Sequence, residues 1–307
     1  MTTDSTDVKR VTAVANQKGG VGKSTIAGNC AAAEVLEIAE ANGVEPEEVH
    51  GEVLVIDIDA QCNLTTSLGI VPNRDPKPER SLDPAKHGII ALLLDDDFDP
   101  FDAIKHTKWG VDVIPGHPEL KRLDESLAGV MGRESILARI VSRLRKRYRV
   151  YIDTPGSLGV ATLNAIVAAG EAAEEDGGGE ILTPVCPGTF ELAGFQELNE
   201  TIARVVLAFK MPSLGIPIVV GDKQLRCANH ILITDFDRRE TIARSTETAL
   251  GQRFPKALLD IRIPRSVRVR EAPGYGEPMW SYDPKGPADL AFRAAVKEMA
   301  ARRVSRG

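Results

Sequence analysis

The sequence is poor in cysteine and in aromatics, with four cysteines and 5% Phe, Trp and Tyr in 307 residues. Cys30, Cys62, Cys186 and Cys227 are far apart and show no CxxC spacing. That excludes a zinc ribbon and argues against a disulfide framework, so reduced and mostly buried thiols are expected. No window of about 18 uncharged apolar residues occurs, and the opening MTTDSTDVKR lacks the basic-then-apolar layout of a secretory signal. Neither a membrane span nor export is supported, and a cytoplasmic location is expected. Internal repeats and an interdomain linker are also missing, which points to a single domain over residues 1–307.

What is present is an ordinary globular composition, 43% hydrophobic and 27% charged. The net charge of −6 is unevenly spread: residues 204–307 hold 19 Lys and Arg against 11 Asp and Glu. One end of the chain is therefore suited to a polyanion. Apolar β-branched runs alternate with helical patterns, predicting strands at 11–15, 53–58, 111–114, 150–153, 181–185, 231–234 and 258–263. Helices are predicted over 24–41, 133–147 and 192–209. This alternation predicts an α/β doubly wound fold, a mostly parallel sheet flanked by helices. Two segments, Pro72 to Lys86 and Glu171 to Glu180, read as surface inserts because they offer little apolar area to offset ordering. The arginine-rich run from Arg133 to Arg149 reads as a surface helix with a polar face.

The most specific signal is Asn16-Gln17-Lys18-Gly19-Gly20-Val21-Gly22-Lys23-Ser24-Thr25, between the first strand and the first helix. In that setting glycines let backbone N–H groups turn inward around phosphate oxygens, and the positive helix terminus adds to the field. Lys23 is placed to reach the β and γ phosphates, and Ser24 to offer its hydroxyl to Mg²⁺. Gln17 stands where the plain GxxxxGK[ST] pattern has its first glycine, and Lys18 adds a second lysine at the entrance. The second strand ends in Asp57-Ile58-Asp59 and a later one in Asp153-Thr154-Pro155-Gly156. Parallel strands deliver such ends beside the phosphate loop, where carboxylates can place Mg²⁺ and a water for phosphoryl transfer. The bland alternative for each is a helix-capping or strand-end aspartate. Cys62 reads as a small packed residue, since no general base is evident beside it.

These motifs resemble the deviant Walker ATPases, and within them the ParA/Soj group of DNA-partitioning proteins. The likeness continues through Ser157-Leu158-Gly159, Leu163-Asn164-Ala165, Pro184-Val185 and the run from Ile263 to Pro278. It implies a P-loop NTPase fold, ATP/ADP and Mg²⁺ as cofactors, and slow ATP hydrolysis. It implies that Lys18 crosses a nucleotide-sandwich homodimer to the partner's phosphates, a cation delivered in trans. It further implies that Asp59 orients the attacking water, that Asp153 holds Mg²⁺ through water, that Asp57 supports the switch segment, and that Pro264 packs on adenine. The chain departs from the group's pattern at Ala60, Cys62 and Gly156, all in switch segments. Those departures bear on the hydrolysis rate more than on nucleotide binding.

Arg262, Arg265, Arg268 and Arg270 lie within nine positions that contain no acid, and Arg238 and Arg239 add two more cations. Guanidinium suits phosphate contact without base reading. The alternatives are nonspecific DNA binding, which the resemblance favours, and a solvated basic face or arginines paired with the acidic N-terminal part. The resemblance also implies a ParB-type centromere-binding partner or a cargo adaptor, and a nucleoid-associated location. Two related roles compete with plasmid or chromosome partitioning. One is a nucleoid-based positioning ATPase for a protein cargo; the other is a MinD-like membrane-binding ATPase, which the tail from Ala288 disfavours because it has few bulky apolar residues. An iron–sulfur relative does not fit the cysteine placement.

Overall fold

The computed structural model describes residues 9–70, 88–188, 191–220 and 223–304. Its strands are β1 (Val11–Val14), β2 (Val53–Asp57), β3 (Lys105–His106), β4 (Asp112–Ile114), β5 (Arg149–Asp153), β6 (Gly179–Val185), β7 (Ile216–Val220), β8 (Lys223–Cys227), β9 (His230–Phe236) and β10 (Leu258–Pro264). The helices are α1 (Lys23–Asn42), α2 (Asn63–Ser67), α3 (Ile89–Leu94), α4 (Leu123–Ser126), α5 (Ile136–Leu144), α6 (Val160–Asp176), α7 (Glu191–Phe209), α8 (Thr241–Arg253), α9 (Val267–Tyr275), α10 (Met279–Tyr282) and α11 (Pro287–Val304). All seven anticipated strands form. The eight-stranded sheet runs β10-β9-β6-β1-β5-β2-β4-β3, parallel except for the edge strand β3. A separate antiparallel hairpin, β7-β8, was not anticipated.

Alternation along the strands divides the core between the two sheet faces, as period-2 geometry requires. Val11, Ala13, Leu54, Ile56, Val150 and Ile152 pack with Leu137 and Val141 of α5 and with Ala165, Ile166 and Ala169 of α6. Val14, Val53, Val55, Tyr151 and Leu182 face the other way, onto Ile26, Ala31 and Val35 of α1 and Phe292, Val296 and Met299 of α11. Strands buried on both faces read as continuous apolar runs, which is why the sequence marks them so plainly.

Two expectations are corrected. Glu171 to Glu180 is not a surface insert: α6 runs on to Asp176, and β6 starts at Gly179. Ala172 and Ala173 are buried against the sheet, and left-handed Gly177 (φ 75°) donates its N–H to their carbonyls. The glycines thus make a tight helix-to-strand reversal. Nor is Arg145 a solvated residue of a polar face. The run from Arg133 begins as a 3-10 turn and becomes helical only over α5, and Arg145, just past α5, is buried. Its guanidinium bonds Glu175 at 2.8 Å and Asp176 at 2.5 Å. It thereby neutralises acids at the α6 C-terminus, where the helix dipole disfavours negative charge. The other expected insert, Pro72 to Lys86, lies outside the described residues.

Gly179 shows how closely α6 approaches the sheet, since a Cβ there would sit 1.7 Å from the Ala169 carbonyl oxygen. Gly179→Ala is therefore expected to cost about 2–3 kcal/mol through overpacking against rigid backbone. Urea unfolding reads it, and a wild-type midpoint would refute so close an approach.

Candidate functional site

The phosphate loop links β1 to α1 and is pinned from both sides. Asn16 donates its side-chain amide to the Pro184 carbonyl at 2.7 Å, and its Oδ1 accepts the Lys18 N–H at 3.1 Å. Gly20 (φ 78°) and Gly22 (φ 88°) adopt the left-handed conformation that turns the loop into the helix. No side chain caps α1, so its first-turn N–H groups stay available to an anion. Lys23 is buried and donates from Nζ to the Lys18 carbonyl at 2.9 Å. Burial lowers its pKa, and the charges of Asp153 and Asp59 oppose the shift. Lys18, by contrast, is exposed on the outer rim of the loop.

Parallel pairing sets the carboxylates in a row: Val14 is in register with Asp153, and Asp153 with Asp57. Asp57 is fully engaged. It accepts from the Thr65 hydroxyl at 2.6 Å, the Thr65 N–H at 2.9 Å and the Asp59 N–H at 3.1 Å. The Thr65 hydroxyl in turn accepts the Gly116 N–H at 2.9 Å. Asp57 thus fastens the segment after β2 instead of facing the open cleft. Since β2 ends at Asp57, Asp59 sits in the following turn, where its Oδ1 accepts the Gln61 N–H at 3.0 Å.

Asp153 is fully buried, and neither carboxylate oxygen has a donor in hydrogen-bond geometry, although the Ser24 hydroxyl lies close enough to oppose its pKa shift. Burial first, and then the neighbouring Asp57, push its carboxyl well above the usual range. A buried oxygen pair without donors, beside a hydroxyl, fits a hard dication: Ser24 and Asp153 are the residues suited to hold Mg²⁺. Burial, with Asp57 and Asp59 adding, pushes the Cys62 thiol up to about 12, in keeping with a packed residue and not a nucleophile.

Two adjoining cavities share Gly20, Gly22, Thr25 and Pro273. One, of about 870 Å³, is walled by Lys23, Ser24, Asp59, Gln61 and Ser157. The other, of about 350 Å³, is walled by Val21, Cys186, Thr234, Pro264 and Val269. Lys23 and Ser24 face the first at the loop, and Pro264 lies on the wall of the second with Val21, Ile263 and Val269 but also Asp235 and Arg270. Sequence reasoning missed Asn16 as an anchor, Thr65 and Gly116 as the Asp57 support, and Pro273 between the cavities. Thr65 lies eight residues after Asp57, but no sequence spacing announces that contact.

The arginines do not form one unpaired face. Arg262 is half-buried on β10, bonded to Glu247 at 3.0 Å and to the Ile261 carbonyl at 3.0 Å. Arg265 pairs with Asp235 and Glu240, Arg270 with Asp235, Arg268 with Asp283, and Arg239 with Asp237. These acids come from the end of β9, the β9–α8 connection, α8 and the α10–α11 connection, not from the acidic N-terminal part. Arg238 is exposed.

A family model described as an AAA domain matches residues 9–216. The chromosome partitioning protein ParA of Caulobacter vibrioides (strain NA1000 / CB15N) is 31% identical over 296 residues, spanning 95% of this chain and 94% of that protein. The sporulation initiation inhibitor protein Soj of Bacillus subtilis (strain 168) is 28% identical over 294 residues, spanning 95% of this chain and 98% of that one. Among solved structures, cobyrinic acid a,c-diamide synthase from Mycobacterium smegmatis, with bound ATP analogue and magnesium, superposes with a TM-score of 0.70 at 26% identity over 98% of both chains.

The buried carboxylates make a pH prediction. In the ligand-free fold Asp57 is pushed up to about 6 by burial, against its Thr65 and Asp59 hydrogen bonds, and burial with the neighbouring Asp57 raises Asp153 well above its ordinary range. Unfolded, both lose their protons near pH 4. The folded state therefore binds more protons, and these groups make stability fall as pH rises from about 4, levelling for Asp57 past about 6. Asp153→Asn should flatten that decline relative to wild type and leave the ligand-free chain more stable than wild type at pH 7. Urea unfolding across pH measures it, and a variant less stable than wild type at pH 7 would contradict the buried-charge reading.

Proposed function

Since the chain belongs to the AAA domain family and, within it, to the ParA/Soj group of P-loop proteins, we propose that it is an Mg²⁺-dependent ATPase that partitions DNA as a two-state switch. The observation that carries the reading is the pair of lysines in one loop, Lys23 buried in the cleft and Lys18 exposed on its rim five residues earlier. Lys23 and the unsatisfied N–H groups of α1 bind the phosphates from within the chain. Lys18 points the same chemistry outward, to a second copy placed face to face across the cleft, and neutralises charge on the phosphoryl group being transferred.

Bound Mg²⁺ would supply charge neutralisation between the phosphates and the protein, with Ser24 and Asp153 as its holders. Asp59, held in its turn by the backbone bond to Asp57, orients the attacking water. Adenine occupies the slot beside Pro264. Only the doubled site is complete, so hydrolysis follows dimerisation, and a ParB-type partner accelerates it and releases DNA. The dimer binds DNA without sequence preference, on the nucleoid in the cytoplasm. Arg238, Arg239, Arg265, Arg268 and Arg270 are the exposed candidates, their acidic neighbours setting how much positive field remains; Arg262 serves the fold instead. The same chemistry would move a protein cargo if the adaptor differed. A MinD-like membrane role is disfavoured by α11, whose Phe292, Val296 and Met299 point into the core, and no described helix is long and apolar enough to cross a membrane.

Lys18→Ala should abolish ATP-dependent dimerisation by light scattering while leaving single-chain nucleotide binding within a few-fold. Asp59→Ala should hold a DNA-bound dimer with hydrolysis reduced at least tenfold, and DNA affinity should fall steeply with salt through counterion release. A chain that remains monomeric with saturating ATP and Mg²⁺ would end the switch reading. Charge reversal at Arg268 and Arg270 should weaken DNA retention in gel shifts, whereas Arg262→Ala should lower stability with little change in DNA affinity.

A further inference from the structure

At the opposite end of the sheet from the cleft, three side chains converge that the nucleotide chemistry does not use. Asp112 opens β4 and is fully buried. His106 on β3 is its cross-strand partner, and His50 follows the 3-10 turn that leads towards β2. The Nδ1 atoms of His50 and His106 lie 2.7 and 2.6 Å from the same oxygen, Asp112 Oδ1. The two rings are 4.7 Å apart. The other carboxylate oxygen, Oδ2, accepts the Gly51 N–H at 2.9 Å and the Tyr148 hydroxyl at 3.0 Å.

We propose that His50, His106 and Asp112 form a divalent transition-metal site that takes Zn²⁺. The geometry is directional: Gly51 and Tyr148 fix Asp112 from behind, the supporting role that orients metal ligands, so Oδ1 is aimed at the two imidazoles. Three ligand atoms of the N,N,O type lie within 4.8 Å of one another, and imidazole with carboxylate is a donor set that suits Zn²⁺. A tetrahedral Zn²⁺ with bonds near 2.0 Å separates its ligand atoms by about 3.3 Å. The imidazoles must therefore withdraw from Oδ1 by roughly half an ångström, while their Nδ1 atoms, within 4.8 Å of one another, close to that spacing. His106, with 64% of its side chain exposed, and His50, with 31%, have room to move. Water completes the fourth position on that open side. The Arg147 guanidinium, packed by Gly51 and the Tyr148 ring, works against a dication. With only three protein ligands, the affinity is below that of a closed four-ligand site. The ion would tie β3, β4 and the α1–β2 connection together at the sheet edge.

The test uses the tag-free full chain after chelator treatment, with excess MgCl₂ present so that the nucleotide cleft does not compete. Calorimetric titration with ZnCl₂ should show one equivalent per chain, and Co²⁺ should give the intense visible spectrum of tetrahedral coordination. His106→Ala and His50→Ala should each lower Zn²⁺ affinity at least tenfold and abolish the Co²⁺ spectrum. His106 is exposed, so that variant is expected to keep the wild-type circular dichroism and urea midpoint, and it decides the question alone if His50→Ala folds poorly. No stoichiometric Zn²⁺ in wild type, or undiminished binding by His106→Ala, would overturn the proposal and leave a hydrogen-bonded triad only.

Discussion

Two adjacent parallel pairings, β1 with β5 and β5 with β2, determine nearly everything that happens at the cleft. They bring the end of β1 level with Asp153 and Asp57, so that the phosphate loop, a bare carboxylate and an anchored carboxylate all meet at one edge of the sheet. Parallel strands need crossover helices, and those helices bury both faces of the sheet. The carboxylates are therefore desolvated by the architecture that aligns them. Lys23 lies in the same buried space and is desolvated in the opposite sense, its charge disfavoured where theirs is too. Such a site has unspent electrostatic potential, and a triphosphate with a dication is the kind of ligand that relieves it.

What the sequence discloses follows from how local each signal is. The loop from Asn16 to Thr25 is contiguous, and the strand ends at Asp57 and Asp153 finish apolar runs, so all could be read before any fold was seen. The split of labour between the two aspartates is implied by the family resemblance but by no local signal in the residues. Asp57 is engaged because Thr65, in α2 eight residues beyond the strand end, folds back on it, whereas Asp153 receives no such bond; that difference is tertiary. The acidic stretch after Glu171 reads as an insert because its composition outweighs its pattern. Its alanines at 172 and 173 supply the apolar face that the flanking acids conceal. The short edge strand β3 has no apolar run, and in the hairpin Pro217 interrupts the apolar β7 while β8 is largely polar.

The arginines illustrate the same limit for charge. Counting from Arg262 to Arg270 finds no acid, yet the fold brings Asp235, Glu240, Glu247 and Asp283 to them. Asp235 alone meets both Arg265 and Arg270, from a backbone conformation (φ 48°) unusual for a residue with a side chain. Exposed pairs of this kind are weak and easily exchanged. A phosphate backbone competing for those guanidiniums would displace a carboxylate at small cost, so pairing tempers the patch without closing it.

A comparison among buried carboxylates gives the cleft its strongest argument. Glu180, at the amino end of β6, receives Thr12 at 2.8 Å, His230 at 2.9 Å and the Arg303 guanidinium from α11. Burial alone would raise its pKa, but Arg303 and His230 outweigh burial and hold it well below the ordinary range. The chain thus has the means to compensate a desolvated carboxylate, and does so two strands away from Asp153. Asp112 also has four partners, two of them imidazoles that would join it in holding the proposed ion. Asp153 alone of these has none in hydrogen-bond geometry, in the middle of the sheet, next to a lysine and a helix terminus with no side-chain cap. Ser24 and Lys23 offset only part of that group's burial, and a dication arriving with the ligand would supply the rest.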